Sequence, residues 1–279
     1  MKNNRFVLLT LVLFSATLAN YGFNMLYSGK DPYESLKTAW QSESFVETDY
    51  ITYFPYYKKH DDDISKICFA SYSIERIQSL PYPYNQLTEV LPFNGRGAYF
   101  NAEFIEKLFK YNHIVNVLEI GSDCGVSTRH IASLLPEDGK LYSLDAWIQQ
   151  YGNMYTQFLS NIVRAQLTHK IIPTRKDSAE ALGLIKSYGK QFDLVYVDGD
   201  HTTEGVRKDL ELYFPLLSSN GVMCGDDWLF LPVRTAVLLF AQQQQLTVYA
   251  ACNFWLLKDE GKYQQKIFMD ASDWMFSQG

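Results

Sequence analysis

Cysteine is scarce and scattered. The 279 residues hold four, at positions 68, 124, 224 and 252, with no C-x-x-C pair. That spacing argues against a zinc site or a disulfide framework and leaves the thiols as small buried hydrophobes. Runs of lysine and arginine are missing too, and the net charge is −6. A general nucleic-acid binder would show a basic patch, so no nucleic-acid partner is expected. There is no internal repeat, and the one low-complexity stretch is Gln242 to Gln245. Also absent is the Gly-x-Gly-x-x-Gly pattern with which dinucleotide folds seat a pyrophosphate.

What stands in its place organises the chain. The apolar run Ile114 to Ile120 reads as a strand buried on both faces, and it enters a turn bearing Gly121 and Gly125. Val126 to Leu135 then reads as a helix, with Ile131, Leu134 and Leu135 on one face and Pro136 ending it. A strand, a glycine turn and a helix N-terminus let backbone approach a ligand closely. Asp123 occupies the place of the second glycine of the dinucleotide pattern. Together with Glu119 it would repel phosphate and attract a cation. S-adenosylmethionine carries an ammonium and a sulfonium and no phosphate.

Beyond the turn, strands and helices alternate. Strands are expected at 140–145, 170–174, 192–198 and 221–226, with a closing pair at 246–250 and 253–257. Helices are expected at 151–167, 178–188, 203–217 and 231–244, the last with Pro232 in its first turn. This pattern gives an α/β fold: a Rossmann-like, doubly wound, mostly parallel seven-stranded sheet. Ligands then bind at the carboxyl ends of the strands. Glu119, Asp145, Asp198 and Asp226 end four of them, a costly arrangement unless ligands or cations sit there. Asp145 can accept both ribose hydroxyls of an adenosine, in an NAD enzyme as well as in one that uses S-adenosylmethionine. Trp147 either stacks on adenine or packs the core. Neighbouring strand ends lie within about 5 Å. Asp198 and the pair Asp226-Asp227 can therefore converge on a hard divalent cation such as magnesium.

Glu119-x-Gly121-x-x-x-Gly125-x-Ser127 resembles the first motif of class I S-adenosylmethionine-dependent methyltransferases, in the form used by the small metal-dependent O-methyltransferases of the catechol and macrolide-sugar type. The resemblance covers roughly residues 115–257. It implies a cofactor held by Glu119, Gly121, Ser122, Gly125, Ser127, Asp145 and Trp147, with Asp177 and Ser178 at the adenine. Asp177 and Ser178 also suit the cap of the following helix. The resemblance implies a metal on Asp198, Asp226 and Asp227, with Asp198 part of the catalytic centre. His201 matches the place of a base in the macrolide-sugar enzymes, or caps the next helix; Asp200 reads as surface. The lysine that catechol enzymes use near this point is replaced by Thr202 and Thr203, which puts a catechol acceptor in doubt. The expected activity is methyl transfer from S-adenosylmethionine to a hydroxyl of a small-molecule acceptor. The alternatives are a non-catalytic exported or membrane-anchored binding protein on the same fold and, third, an NAD oxidoreductase.

Residues 1–27 read as a signal peptide or membrane anchor. Lys2 and Arg5 precede the uncharged stretch Phe6 to Ala19, and Thr17-Leu18-Ala19 suits cleavage. The stretch is short for a span, which needs about 20 residues. Export or membrane association through the N-terminus is the expectation; a buried N-terminal helix is the alternative. Residues 28–110 read as an aromatic-rich helical cap, with helices at 64–80 and 101–111. Its aromatics, Tyr50 to Tyr57 among them, either shape a substrate pocket or pack the cap itself. Residues 111–279 form the cofactor domain.

Overall fold

The computed structural model describes residues 72–97, 99–148, 153–259 and the backbone of 276–278. All of them fall within the unit Asp63–Gly279. The expected signal or anchor at 1–27, and the cap as far as residue 71, lie outside the described residues. Among the described residues no helix is long and apolar enough to cross a membrane.

The described chain opens with a short helix α1 (Ile74–Gln78) and a 3-10 turn at Tyr84–Gln86. The helix expected over 64–80 is therefore helical, within its described part, only over α1. Tyr84 is fully buried and its hydroxyl donates to the Ile171 carbonyl at 3.0 Å. Residues 90–97 then run along a later helix, α4 (Met154–Arg164): Ser160, Asn161 and Arg164 all bond main-chain groups of Val90, Leu91 or Asn94. This described part of the cap region is mostly exposed and buries Ile77, Tyr84 and Leu87. Helix α2 (Ala102–Tyr111) buries Ile105 and Leu108 and leads into β1 (Asn116–Ile120).

The alternation then follows: α3 (Val126–Leu134), β2 (Lys140–Asp145), α4, β3 (Ile171–Arg175), α5 (Ser178–Ser187), β4 (Phe192–Val197), α6 (Thr203–Tyr213), β5 (Leu217–Gly225), α7 (Leu231–Gln244), β6 (Thr247–Ala251), β7 (Phe254–Lys258). The strands order as β3-β2-β1-β4-β5-β7-β6. The first five are parallel, and β7 enters antiparallel between β5 and β6. This is the expected doubly wound seven-stranded sheet. A short eighth strand, β8 (Phe276–Gln278), adds antiparallel to β6.

Element ends differ from expectation by a few residues, for local reasons. The helix expected to reach 217 stops at Tyr213, where Pro215 brings a 3-10 turn over Phe214–Leu216; proline has no N–H to continue the ladder. Strand β5 begins at Leu217 because Phe192 pairs there, across an irregularity in the register with β4. The core lies under this sheet. Leu118, Val195, Met223 and Leu257 supply it from the strands, and Ile185, Leu210 and Val237 from the helices. Strand order reverses between β1 and β4, so the crevice for a ligand opens beyond the carboxyl ends of those strands.

Candidate active site

The turn after β1 is built around what two glycines permit. Gly121 has φ 88°, and a Cβ there would lie 2.0 Å from the Asp198 carbonyl oxygen. The ends of β1 and β4 thus touch through bare backbone. Gly125 has φ 81° and caps α3, with the Phe158 ring 3.1 Å from where its Cβ would be. Side chains disfavour both conformations.

Glu119 holds this turn from beneath. It is wholly buried; Ser122 Oγ donates to Oε2 at 2.7 Å and Ser127 Oγ to Oε1 at 2.6 Å. The Thr128 hydroxyl makes a third bond to Oε2. Burial pushes its carboxyl up to about 7, against the lowering effect of the three hydroxyls. Glu119, expected among the cofactor-binding residues, lies beneath the turn and shapes it. No part of its carboxyl faces solvent, and its partners belong to the loop.

Asp145 holds the turn from the side. Its Oδ2 accepts from the main-chain N–H of Ser122 at 3.0 Å and of Asp123 at 2.9 Å, and its Oδ1 from that of Trp147 at 2.7 Å. A carboxylate offers about four acceptor positions, so a ribose hydroxyl can still be taken at Oδ1. Trp147 packs inward. Its ring is 2% exposed, lies against Tyr155 and Phe158, and donates Nε1–H to the Asp123 carbonyl at 2.7 Å. Of the two readings of Trp147, core packing is the one this structure takes. Asp177 accepts from Ala179 N–H at 2.9 Å and caps α5, and the Ser178 carbonyl accepts the Tyr213 hydroxyl at 2.5 Å. Capping is thus the role the structure gives Asp177.

The acid half of the site gathers at the ends of β4 and β5. Single ligand atoms of Asp198, His201 and Asp227 lie within 4.8 Å of one another. His201 Nε2 is 2.6 Å from Asp227 Oδ2. The hydrogen bond to Asp227 raises the imidazole above its ordinary value, against burial. Burial, then the charges of Asp226 and Asp227, holds the Asp198 carboxyl well above the usual range. His201 does not cap α6; Thr202 does, accepting from Gly205 N–H at 3.0 Å. Asp200 stays at the surface, accepting from Thr202 N–H at 2.7 Å.

Asp226 lies beside that group, lining the same pocket as Asp198, His201 and Asp227, with its charge acting on the Asp198 carboxyl. It is 3% exposed and turned into the fold. Its Oδ1 accepts the Asp227 N–H at 2.6 Å and the Asn253 amide at 2.5 Å, and its Oδ2 lies 3.5 Å from the Tyr196 hydroxyl. Burial pushes this carboxyl up to about 7. The three acids expected to hold a metal, Asp198, Asp226 and Asp227, thus line one pocket, with His201 beside them. Strand side chains alternate in direction, so adjacent acids at a strand end cannot both face the same point without a break in the backbone. Asp227 supplies the break with φ 63°. Asn253, in the turn between β6 and β7, touches both acids and was not marked by any motif; an asparagine between two strands reads only as a turn residue.

Residues 118–228 match the family described as a methyltransferase domain. With the doubly wound sheet, the glycine turn and the strand-end acids, this makes the described region similar to methyltransferase domains of the class I fold. The chain resembles the S-adenosylmethionine-dependent methyltransferases of that class, O-methyltransferases among them. It is 30% identical over 128 residues to tapetum-specific methyltransferase 1 of Arabidopsis thaliana, over 46% of this chain and 52% of that protein. The chain thus spans about half the length of this curated relative. Cofactor-bound Rv0187 from MTB shares the fold, with a TM-score of 0.52 and 17% identity over 71% of this chain and 90% of that one. The O-methyltransferase from Bacillus cereus in complex with SAH superposes with a TM-score of 0.49 and 18% identity, over 72% of this chain and 97% of that one.

Proposed function

We propose that this chain transfers a methyl group from S-adenosylmethionine to a hydroxyl of a small molecule, assisted by a divalent cation. The observation that carries the reading is the convergence of Asp198, His201 and Asp227, with the Asp198 carbonyl packed directly against Gly121 of the glycine turn. Burial and the neighbouring charges of Asp226 and Asp227 favour the protonated form of Asp198 unless a counter-charge joins them. Asp198 and Asp227 fit a hard cation such as magnesium or manganese, which uses one or two carboxylates and fills its other positions with water and substrate. When bound, such an ion supplies positive charge that lowers the pKa of an acceptor oxygen.

The chain's own residues do the rest. Glu119 and Asp145 hold the glycine turn and the start of α3 through five hydrogen bonds. A fixed turn orients the cofactor, and orientation supplies much of the acceleration of a displacement at carbon. His201 can hold a proton at Nε2, facing Asp227 Oδ2. That makes it the resting place for the proton an acceptor hydroxyl gives up. The net charge of −6 supports a small-molecule acceptor over nucleic acid. The charged start and apolar stretch at residues 2–19 support export or anchoring of the chain.

The test is transfer of labelled methyl groups to panels of phenols, sugar hydroxyls and carboxylates. Turnover on hydroxyls, abolished by chelator while calorimetric cofactor binding persists, is expected. Full turnover in chelator would remove the cation and leave Asp198 and His201 only to orient the acceptor.

A further inference from the structure

We infer that Arg96 and Asp123 together hold the amino-acid end of S-adenosylmethionine, Arg96 taking its carboxylate and Asp123 its ammonium. The inference rests on the cofactor reading above and deepens it.

The glycine turn is rich in acids, but two of them are engaged from within. Glu119 accepts from the hydroxyls of Ser122, Ser127 and Thr128, and Asp145 from the main-chain N–H of Ser122 and Asp123. Asp123 differs. It stands in the turn itself, with φ 41° and its side chain 38% exposed. Its Oδ2 lies 3.7 Å from Nε of Arg96, whose side chain is 58% exposed. A pair so open and so long adds little to stability. Burial raises the Asp123 carboxyl, and the charge of Arg96 opposes that rise.

Arg96 reaches the turn because its own segment is fastened there. Asn161, wholly buried on α4, gives its amide hydrogens to the carbonyls of Asn94 and Cys124, both at 2.7 Å. One side chain thus ties residues 94–97 to the glycine turn. Asn161 Oδ1 accepts the Asn94 N–H at 3.2 Å, and Asn94 Oδ1 accepts the Arg96 N–H at 3.0 Å. Gly97 then passes so close to α3 that a Cβ there would lie 3.3 Å from Val126 Cγ2. The backbone is held while the Arg96 side chain stays in solvent. Arg129, a second guanidinium beside the turn, serves as wall: it is buried, gives Nε–H to the Gly125 carbonyl at 3.1 Å and lies over the Phe93 ring.

An amino-acid end brings one positive and one negative charge. A guanidinium and a carboxylate facing each other suit it, because each can exchange its present partner for one on the ligand. The ammonium takes the place of Arg96 beside Asp123, and the carboxylate that of Asp123 beside Arg96. Arginine meets a carboxylate through two parallel hydrogen bonds, a better match than the single long contact seen now. Without Arg96 the acids of the turn would repel that carboxylate.

The experiment is calorimetry on the full chain with three ligands. S-adenosylhomocysteine carries both charges, decarboxylated S-adenosylmethionine lacks the carboxylate, and 5′-methylthioadenosine lacks the whole amino-acid end. Arg96→Ala is expected to weaken S-adenosylhomocysteine tenfold or more. The same variant should bind the decarboxylated cofactor as wild type does or more tightly, since Asp123 then has no competing partner. Asp123→Asn, whose side chain tolerates the left-handed backbone, is expected to weaken both of these ligands about tenfold. Neither change should move 5′-methylthioadenosine by more than about twofold. Should Arg96→Ala fail to fold, Arg96→Gln is expected to give the same pattern. A strap that only shapes the site would lose all three ligands alike, and that result would overturn the assignment. So would unchanged affinity of the Arg96 variants for S-adenosylhomocysteine. Failure of the wild-type chain to bind S-adenosylmethionine or S-adenosylhomocysteine would overturn the cofactor reading and, with it, this inference.

Discussion

Glu119 shows how much one residue's meaning depends on its neighbours. At the end of a strand, beside a glycine turn, its charge suggested a partner for a cation. In the fold it is buried among Ser122, Ser127 and Thr128 and its carboxyl rises to about 7. A raised carboxyl makes the folded state prefer the protonated form. The stability this contributes is complete below the ordinary value of 4.5 and is lost as pH rises through about 7. Thermal unfolding should therefore show a Tm that declines from about pH 5 to pH 8, and Glu119→Gln should flatten that decline. Glu119→Ala should cost about 1–3 kcal/mol at pH 5, because three buried hydroxyls lose their acceptor. An unchanged pH slope in Glu119→Gln would show that the carboxyl is ionised throughout. Its position was legible in the sequence, but its partners were not. Ser122 and Thr128 reach it only because the turn folds back over the strand, and nothing in their spacing announces that.

At the scale of elements, alternation was enough to place the sheet, since buried parallel strands and their crossover helices have different apolar periods. The antiparallel end was legible as a closing pair, but not the contribution of its turn. Asn253 sits in a hairpin turn that carries no motif, yet its amide bonds both Asp226 and Asp227. Trp147 followed the same rule: aromatic rings near a ligand crevice have packing partners that sequence spacing does not reveal. The element that most constrains the site is the close approach of β1 and β4. Gly121→Ala would place a methyl group 2.0 Å from the Asp198 carbonyl oxygen and 2.6 Å from the Gly199 Cα, both backbone atoms. Neither can step aside cheaply, and the residue also has φ 88°. Denaturant unfolding of Gly121→Ala should show a loss of roughly 4 kcal/mol or more, with cofactor binding lost alongside. A loss below about 1 kcal/mol would mean the strand ends are looser than described.

At the scale of the whole molecule, the described sheet and helices supply a core from residues 118–257, and residues 1–27 carry the targeting reading. Deleting residues 1–27 should therefore give a soluble protein that keeps cofactor binding, measured by calorimetry and size-exclusion chromatography. Loss of folding on that deletion would mark the stretch as a core helix and end the targeting reading.

The glycine turn, the acids at the strand ends and the match over residues 118–228 all lead to one ligand. Calorimetric titration of the whole chain with S-adenosylmethionine and its demethylated product tests that most directly, with NAD as the control. Binding in the micromolar range, about −8 kcal/mol, is predicted for at least one of the pair, and none for NAD. Silence with both, together with tight binding of NAD, would contradict the account at its centre.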